Sequence, residues 1–367
     1  MAGPISSITI FGQTIIILND SHIAFDLLEK RSNIYSPRPW MTFAGEMVGW
    51  EHILAMQPYT DPFRAYRKVM HCVIWPKNTV AQFNALQEVE VRRFLFQVLG
   101  KPDGIAQHIR TETGAVILKI AYGYNINPHG YDPLVALANE FIDNISVAGT
   151  PGAFLVDTIP LLKYVPSWFP GAGFKRTAAA WHKGLLTTIE KSYRLVQQQT
   201  KTGNYLDSYL SNILEEAQGK GKILTAEEEQ VIKWTAGSLY TGGVDTTVSA
   251  LSCFFLAIAL YPDVQSKAKE ELDRVIGTTK LPTFDDSPRL PYIDAVVKEI
   301  LRWHPVAPMG FLDYAEYLVC ILPFPASYKL EIKARSKKHE ELVRAVKVEF
   351  PWEEGDAKEV EAIEVDV

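Results

Sequence analysis

Apolar residues recur at helical spacing along most of the chain, and strand-like alternation is confined to its two ends. Residues 7–19 predict two short strands that turn at Gly12 and Gln13, and 314–333 contains further strand-like runs. Helices are predicted over 21–30, 61–73, 80–99, 104–121, 133–145, 174–200, 204–219, 225–261, 262–276 and 292–304. These elements predict a mainly α fold with a small β region built from both termini.

The longest helical pattern, residues 225–261, is the element around which the chain is organised. Thr225 and Glu228 have the spacing of a capping box, in which each residue satisfies a backbone N–H of the other. Pro262 ends the helix because proline cannot continue the backbone ladder. After Thr247 nearly every face is apolar, which predicts a buried central helix.

The middle of this helix consists of poor helix formers. Gly242 and Gly243 each cost about 1 kcal/mol relative to alanine, and Asp245, Thr246 and Thr247 compete for backbone hydrogen bonds. Such conflicts inside a strong element favour a functional site. Paired glycines let a flat ligand approach the backbone, a threonine that bonds back to a carbonyl opens a groove, and a nearby acid can relay protons. A plain helix break, with Asp245 capping a second helix, is the alternative.

A second candidate pair lies on a later helix, where Glu299 and Arg302 are three residues apart and can pair. Apolar residues surround the pair: Ile293, Val296, Val297, Ile300 and Leu301. This setting predicts a buried pair whose further hydrogen bonds let Arg302 hold a distant loop. A solvated surface pair with little effect on stability is the alternative.

Composition and spacing argue against several function classes. The chain is 47% hydrophobic and 22% charged, as in ordinary globular proteins, and its net charge of −6 argues against a nucleic-acid partner. Asp285 and Asp286 lack the third aspartate of a diphosphate-handling helical enzyme. The cysteines, Cys72, Cys253 and Cys320, are widely separated, which fits a reduced intracellular protein, and their positions do not have the spacing of a metal site.

Three segments bear on membranes and order. No apolar run reaches the length that spans a bilayer, and no signal peptide is visible in residues 1–18. Residues 150–174 combine four prolines and three glycines with large apolar residues. They predict an ordered apolar loop that lines a cavity, faces a membrane surface or packs between helices. Residues 353–367 predict an acidic disordered tail.

Two motifs, taken in their order along the chain, resemble those of a known family. GGVDTT at 242–247 and EILR at 299–302, with LYPDVQSKAKEELDRVIG between them, resemble the cytochrome P-450 haem-thiolate monooxygenases. IYSPRP at 34–39, ILKIAYGY at 117–124 and residues 151–175 are similar to fungal secondary-metabolism members of the O-methylsterigmatocystin oxidoreductase type. The resemblance covers about residues 5–310 and implies one cytochrome P-450-like helical domain over 1–352.

The resemblance implies a haem (heme iron) cofactor and a monooxygenase reaction. Electrons from an NADPH-cytochrome reductase partner would drive insertion of one oxygen atom into a small apolar substrate, at the endoplasmic reticulum membrane. Asp245 and Thr246 would deliver protons to the bound oxygen, and Gly242 and Gly243 would face the haem.

The resemblance assigns three more residues. Arg67, in a helix where Phe63 stands for the family's usual tryptophan, would bind a haem propionate. Glu299 and Arg302 would lock the fold on the thiolate side of the haem.

The chain departs from the family after Gly310. The family's haem-binding loop with its ligating cysteine has no match, and residues from Pro323 to about 345 already resemble fungal C termini. This predicts an internal deletion near 310–322. Cys320, in LVCILPF, lacks the donors that lower a thiol pKa, which favours a buried strand cysteine over a substitute ligand.

The resemblance therefore leaves three functions open. The first is a working oxidoreductase, the second a non-catalytic family remnant, and the third an apolar-ligand-binding protein without iron. Because the sequence starts at its first strand and not at the family's anchor helix, we expect membrane contact without a stable anchor.

Overall fold

The computed structural model describes residues 3–10, 13–35, 38, 40–74, 81–127, 130–148, 152–306 and 328–365. Two strands, β1 (Ile5–Ile10) and β2 (Gln13–Leu18), pair antiparallel. The helices are α1 (Ser21–Phe25), α2 (Ser32–Tyr35), α3 (Asp61–Ile74), α4 (Asn84–Gly100), α5 (Ile105–Tyr122), α6 (Pro133–Ala148), α7 (Leu155–Thr158), α8 (Gly173–Thr202), α9 (Tyr209–Gly219), α10 (Ala226–Leu260), α11 (Pro262–Val275), α12 (Pro291–Trp303), α13 (Lys337–Glu349) and α14 (Ala357–Ala362). The mainly α fold class is confirmed.

The sheet differs from the prediction in one respect. The N-terminal strand pair is confirmed, with Ile5 opposite Leu18, while Gly12 of its turn lies outside the described residues. Residues 328–333, predicted as strand, form no strand in the structure, and 314–327 lie outside the described part. The described sheet is therefore built from the N-terminal segment alone.

The helix α10 is the core of the fold. Helices α3, α5, α6, α8 and α9 all contact it, and its apolar side chains join those of α5 and α8 in the largest buried cluster. Small residues permit the close approach: a Cβ at Gly237 would collide with Ile189 of α8, and a Cβ at Gly243 with Ile117 of α5. Glycine at these two positions brings the neighbouring helices close to the backbone of α10.

The expectation that no apolar run is long enough to span a bilayer is corrected by α10. Within the described residues this helix is long and apolar enough, by length and composition only, to cross a bilayer. In the structure 33% of this apolar window is buried, and the core helix of a soluble protein passes the same test by composition.

The proline-rich segment 150–174 is ordered where the structure describes it, as predicted. It forms α7 and a 3₁₀ turn, Pro160–Tyr164, before α8 begins. Phe154 stacks on Phe43, and the Asp157 carboxylate accepts a hydrogen bond of 2.8 Å from the Phe43 amide. These contacts fix the start of the segment to a second apolar cluster around Trp50.

The predicted disordered tail is also corrected, because residues 353–365 are ordered and contain α14. Val360 and Ile363 are buried in the main cluster, and Val365 packs against it. The acidic composition misled the prediction, because these apolar residues recur at short intervals and together bury one side of the segment.

Candidate functional site

The helix α10 runs without a break through Gly242–Thr247, so the alternative of a second helix capped by Asp245 is excluded. The Thr246 hydroxyl donates to the Gly242 carbonyl oxygen at 2.8 Å, the predicted back-bond across one turn. The predicted capping box is present as well: the Glu228 amide donates to Thr225 Oγ1 at 3.2 Å, and the Thr225 amide to the Glu228 carboxylate at 3.1 Å.

The two adjacent glycines lie on different surfaces. A Cβ built at Gly242 would meet no atom of the described residues within 4 Å, so the backbone there is open to a ligand. A Cβ at Gly243 would lie 2.4 Å from Ile117 Cδ1, so this glycine makes room for α5. Successive helix residues point about 100° apart, so the two glycines border different surroundings; that both face the haem stays a prediction.

Asp245 and Thr246 are separated in the same way. Thr246 is exposed beside Gly242, whereas Asp245 is 4% exposed and faces the protein interior. Burial raises the pKa of Asp245 to about 6, and the positive charge of Arg110 on α5 partly opposes the shift. Asp245 Oδ1 is buried and has no hydrogen-bond partner among the described residues. A carboxyl group in this setting can hold or release a proton near neutral pH.

Arg67 lies on α3, which packs on α10. Its guanidinium lies over the Phe63 ring, 5.8 Å from the centroid, and it forms no ion pair within the described part of the chain. The neighbouring Arg64 is instead paired with Asp61 at 2.6 Å. Arg67 is exposed, so its charge is available to an anionic group of a ligand.

Glu299 and Arg302 form the predicted pair, with a bidentate geometry of 2.6 and 2.7 Å. The expectation that the pair is buried is wrong: the side chains are 57% and 72% exposed. The neighbouring Val297 and Leu301 are also about half exposed, because α12 buries only the face that carries Val296 and Ile300. The hydrogen bond from Arg302 lowers the pKa of Glu299.

The two groups of candidate residues are far apart. Glu299 and Arg302 line a cleft of about 460 Å³ together with Ala257 and Tyr261 at the end of α10. Those two residues lie 15 and 19 positions beyond Gly242, which is about 25 Å along a helix. The structure therefore separates the Glu299–Arg302 pair from the Gly242–Thr246 segment of α10, while α3, which carries Arg67, packs on α10.

Sequence reasoning missed three residues of α5. Arg110 moderates the pKa of Asp245, Ile117 occupies the space beside Gly243, and burial raises the pKa of Glu112 to about 7. Arg110 and Ile117 are seven residues apart, so they share one helix face; that spacing was the available signal.

Gly242 on α10 and Arg67 on α3 each have a property that suits the haem implied by the motifs. Gly242 offers open backbone to a flat ring, and Arg67 offers a cation to its carboxylates. A thiolate ligand is not placed among the described residues: Cys253 is buried with a raised pKa, and Cys72 is exposed on α3. Cys320 lies outside the described residues. No cluster of three potential metal-binding side chains occurs in the described ranges.

Comparison with known proteins gives consistent matches. The cytochrome P450 family profile matches residues 1–312. Cytochrome P450 monooxygenase ppsD of Aspergillus oryzae is 46% identical over 308 residues, and O-methylsterigmatocystin oxidoreductase of Aspergillus flavus is 40% identical over 308. Each match covers 84% of this chain and 58% of the relative, so the chain spans less than two thirds of their length.

A solved structure shares the fold. A zebra fish cytochrome P450 structure with progesterone superposes with a TM-score of 0.64 at 18% identity, covering 83% of this chain and 69% of the other. The family profile matches well over half of the sequence, and the motifs that suggested the family lie within the matched range. The chain therefore belongs to the cytochrome P450 family.

Proposed function

We propose that this chain provides the oxygen-side wall of a haem monooxygenase site. The observation that carries the proposal is the open backbone at Gly242, one helical turn from the exposed Thr246 hydroxyl on the unbroken helix α10. Membership of the family implies haem as the cofactor. When bound, haem supplies the activation of dioxygen, and the protein supplies binding, orientation and protons.

Within this proposal Gly242 and Arg67 hold the cofactor. Gly242 carries no side chain that would keep a flat ring away from α10. Arg67 supplies a charge-assisted hydrogen bond to a carboxylate, and its stacking on Phe63 limits the rotamers of the side chain.

Thr246 and Asp245 take part in proton transfer in this proposal. The back-bond to Gly242 O leaves the oxygen lone pairs of the Thr246 hydroxyl on the open side, where they can accept a hydrogen bond from a protonated group. Asp245, with a pKa of about 6, is the adjacent group that can supply and recover protons near neutral pH. In this proposal the buried Asp245 carboxyl group holds the proton, and the exposed Thr246 hydroxyl takes part in its transfer.

The substrate and the redox partner are proposed at the level of class. A relative 40% identical to this chain is an oxidoreductase named for O-methylsterigmatocystin, which supports a small, largely apolar substrate. The family supports an NADPH-cytochrome reductase as the source of electrons.

The test is an absorption spectrum of the chain expressed with haem, then reduced and exposed to carbon monoxide. We expect bound haem in the unmodified chain, loss of haem in Gly242→Phe, and retention in Gly219→Phe, where a Cβ also meets open space. A red-shifted thiolate band that disappears in Cys320→Ser and persists in Cys72→Ser would identify the ligand. Equal haem content in both phenylalanine variants would refute the assigned surface.

A second candidate function is that of a family remnant or apolar-ligand binder without iron. The observation that favours it is the state of Cys253, since its burial raises the pKa of the thiol and disfavours the thiolate that ligates iron. A folded chain, with helical circular dichroism but no haem absorbance after reconstitution, would establish this candidate and exclude the first.

We further propose that the surface of residues 155–169 contacts a membrane. Leu161, Tyr164 and Trp168 are each more than 70% exposed, and Leu155 is 66% exposed. Exposed aliphatic and aromatic side chains on one short segment suit the interface between lipid and water. The family's general association with the endoplasmic reticulum membrane agrees with this proposal.

A further inference from the structure

Residues 350–365, here termed the strap, lie beyond the part of the chain that the family profile matches. The strap contacts α4, α5, α6 and α8 in an ordered course. We propose that the strap is a positioning device: it holds the connection between α5 and α6 and thereby sets the place of α6 beside α10.

The first anchor is a buried charge cluster that the strap completes. Arg93 on α4 lies 2.7 Å from Glu90, and Lys119 on α5 lies 2.8 Å from the same carboxylate. All three residues are buried, so two cations share one anion. Glu353 of the strap supplies a second carboxylate, 2.8 Å from Arg93 and 3.2 Å from Lys119. Without Glu353 the buried Arg93 and Lys119 would share the single ion-paired carboxylate of Glu90, and weaker compensation of a buried charge is costly.

The same arginine also binds the strap backbone. Arg93 donates to the carbonyl oxygens of Phe350, at 3.3 Å, and Pro351. Trp352 lies over the Arg93 guanidinium and against the Phe96 ring, at 5.8 and 5.6 Å between centres. Consecutive strap residues are thus held at fixed positions on α4.

The second anchor is on the connection after α5. The Asp356 amide donates to the Asn125 carbonyl at 2.9 Å, and the Asn125 amide donates to the Asp356 carboxylate at 2.7 Å. A Cβ at Gly355 would lie 3.1 Å from the Asn127 backbone, so the two chain segments touch. The strap and the connection are therefore in backbone contact over several residues.

The connection passes this constraint to α6 through Asp132. The Asn127 amide donates to Asp132 Oδ2 at 2.9 Å, while Asp132 Oδ1 caps α6 by accepting from Leu134 and Val135 at 3.0 and 3.1 Å. Tyr240 of α10 donates to the Leu134 carbonyl oxygen at 2.6 Å. Movement of the connection would therefore move the first turn of α6 relative to α10.

The third anchor closes the strap on α8. Lys191 donates to the Val360 carbonyl oxygen at 3.0 Å, and Gln199 donates to Glu359 at 3.0 Å. Val360 is buried in the main apolar cluster. Because the strap is fixed on both sides of the α5–α6 connection, it acts as a clamp across it.

The helix that the strap positions forms a wall beside the candidate site. Leu137 and Phe141 of α6 face a small cavity of about 30 Å³ together with Thr241, the residue before Gly242. The placement of α6 therefore decides how much room lies next to the open backbone of α10.

The test is amide hydrogen exchange followed by mass spectrometry on the full chain and three variants. In Asp356→Ala and Glu353→Gln we expect about tenfold or faster exchange in 125–148, with 262–303 unchanged, because a local tie is lost and not the whole core. The matched control is Glu354→Ala, an exposed neighbour; its exchange should equal that of the unmodified chain.

Two results would overturn the proposal. Unchanged exchange in 125–148 for both strap variants would show that the strap does not hold the connection. Equal acceleration in 125–148 and 262–303 would show that strap residues stabilise the fold as a whole and position nothing locally. Both readouts use point variants of the full chain, so neither result depends on a truncated protein.

Discussion

Ile117 of α5 occupies the space that a side chain at position 243 of α10 would need: a Cβ on Gly243 would lie 2.4 Å from Ile117 Cδ1. A Cβ built on Gly242, one residue earlier, would have no atom of the described part of the chain within 4 Å. The two adjacent glycines therefore have different roles: Gly243 permits close packing of α5, and Gly242 leaves its backbone at an open surface.

This contrast predicts opposite effects of two single substitutions. Gly243→Ala should lower the free energy of unfolding by about 1–3 kcal/mol, because the core around Ile117 must shift to admit a methyl group. Gly242→Ala should raise it by up to about 1 kcal/mol through helix propensity. Urea unfolding followed by circular dichroism measures both.

Ile117 supplies the control for this pair. In Ile117→Ala the colliding atoms are absent, so adding Gly243→Ala should cost less than it does in the unmodified chain. Additive losses in the double variant would contradict the collision as the cause.

Glu112 should make stability depend on pH. Burial raises its pKa to about 7, although the Thr113 hydroxyl donates a hydrogen bond that opposes the shift. The folded state then binds a proton that the unfolded state releases, so the stabilisation is complete below about pH 4.5 and is lost as pH rises through about 7.

Glu112→Gln should remove this dependence. At pH 8.5 the variant should be more stable than the unmodified chain by on the order of 2 kcal/mol, and at pH 4 the two should agree. Glu354→Gln, at an exposed position, is the control and should follow the unmodified chain. Parallel pH profiles for Glu112→Gln and the unmodified chain would refute a buried, protonated Glu112.

Arg302→Ala should separate folding from cofactor retention. The Glu299–Arg302 pair is exposed, so its loss should leave urea unfolding unchanged. If the pair has the role that the family resemblance implies, haem content should nevertheless fall to background. Lys298→Ala removes another exposed pair on the same helix, at 2.6 Å from Asp294, and should retain haem. Equal haem content in both variants would contradict that role.

Thr246→Val should separate oxygen consumption from product formation. Among the described residues the hydroxyl bonds within its own helix, to Gly242 O, so the substitution should not disturb packing. Under the proposed function, the reconstituted enzyme should release a larger share of its reducing equivalents as hydrogen peroxide. Thr247→Val, at the exposed neighbouring position, is the control. Unchanged peroxide release in Thr246→Val would remove this residue from the proton path.

Membrane contact should depend on the exposed segment 155–169. Leu161→Ser combined with Trp168→Ser should reduce sedimentation with phospholipid vesicles, because both side chains are more than 70% exposed and apolar. Val348→Ser, 84% exposed on α13, should have no effect. Equal loss of binding in both proteins would indicate non-specific adsorption.

Much of the local structure follows from short-range rules. The start of α10 at Thr225–Glu228, its end before Pro262, the cap of α6 by Asp132 and the back-bond of Thr246 all involve atoms within a few residues of each other. Hydrogen bonds over one turn depend on residue type and spacing, so the sequence contains the information needed to predict them.

The family could also be recognised from sequence, because its two motifs keep their residues and order regardless of how the helices pack. The extent of the candidate site could not be predicted from sequence. Whether Asp245 points inward and Thr246 outward depends on which neighbour covers each face of α10, and that neighbour is α5, more than a hundred residues earlier.

What the sequence by itself determined is the set of helices, their caps and the family motifs, since each rests on interactions within a few turns. Only the tertiary structure decided that Gly243 packs and Gly242 is open, that Glu299 and Arg302 are exposed, and that the acidic C terminus is an ordered strap. The physical reason is that burial and charge compensation arise between distant segments, as when Glu353 neutralises the excess charge beside Arg93 and Lys119.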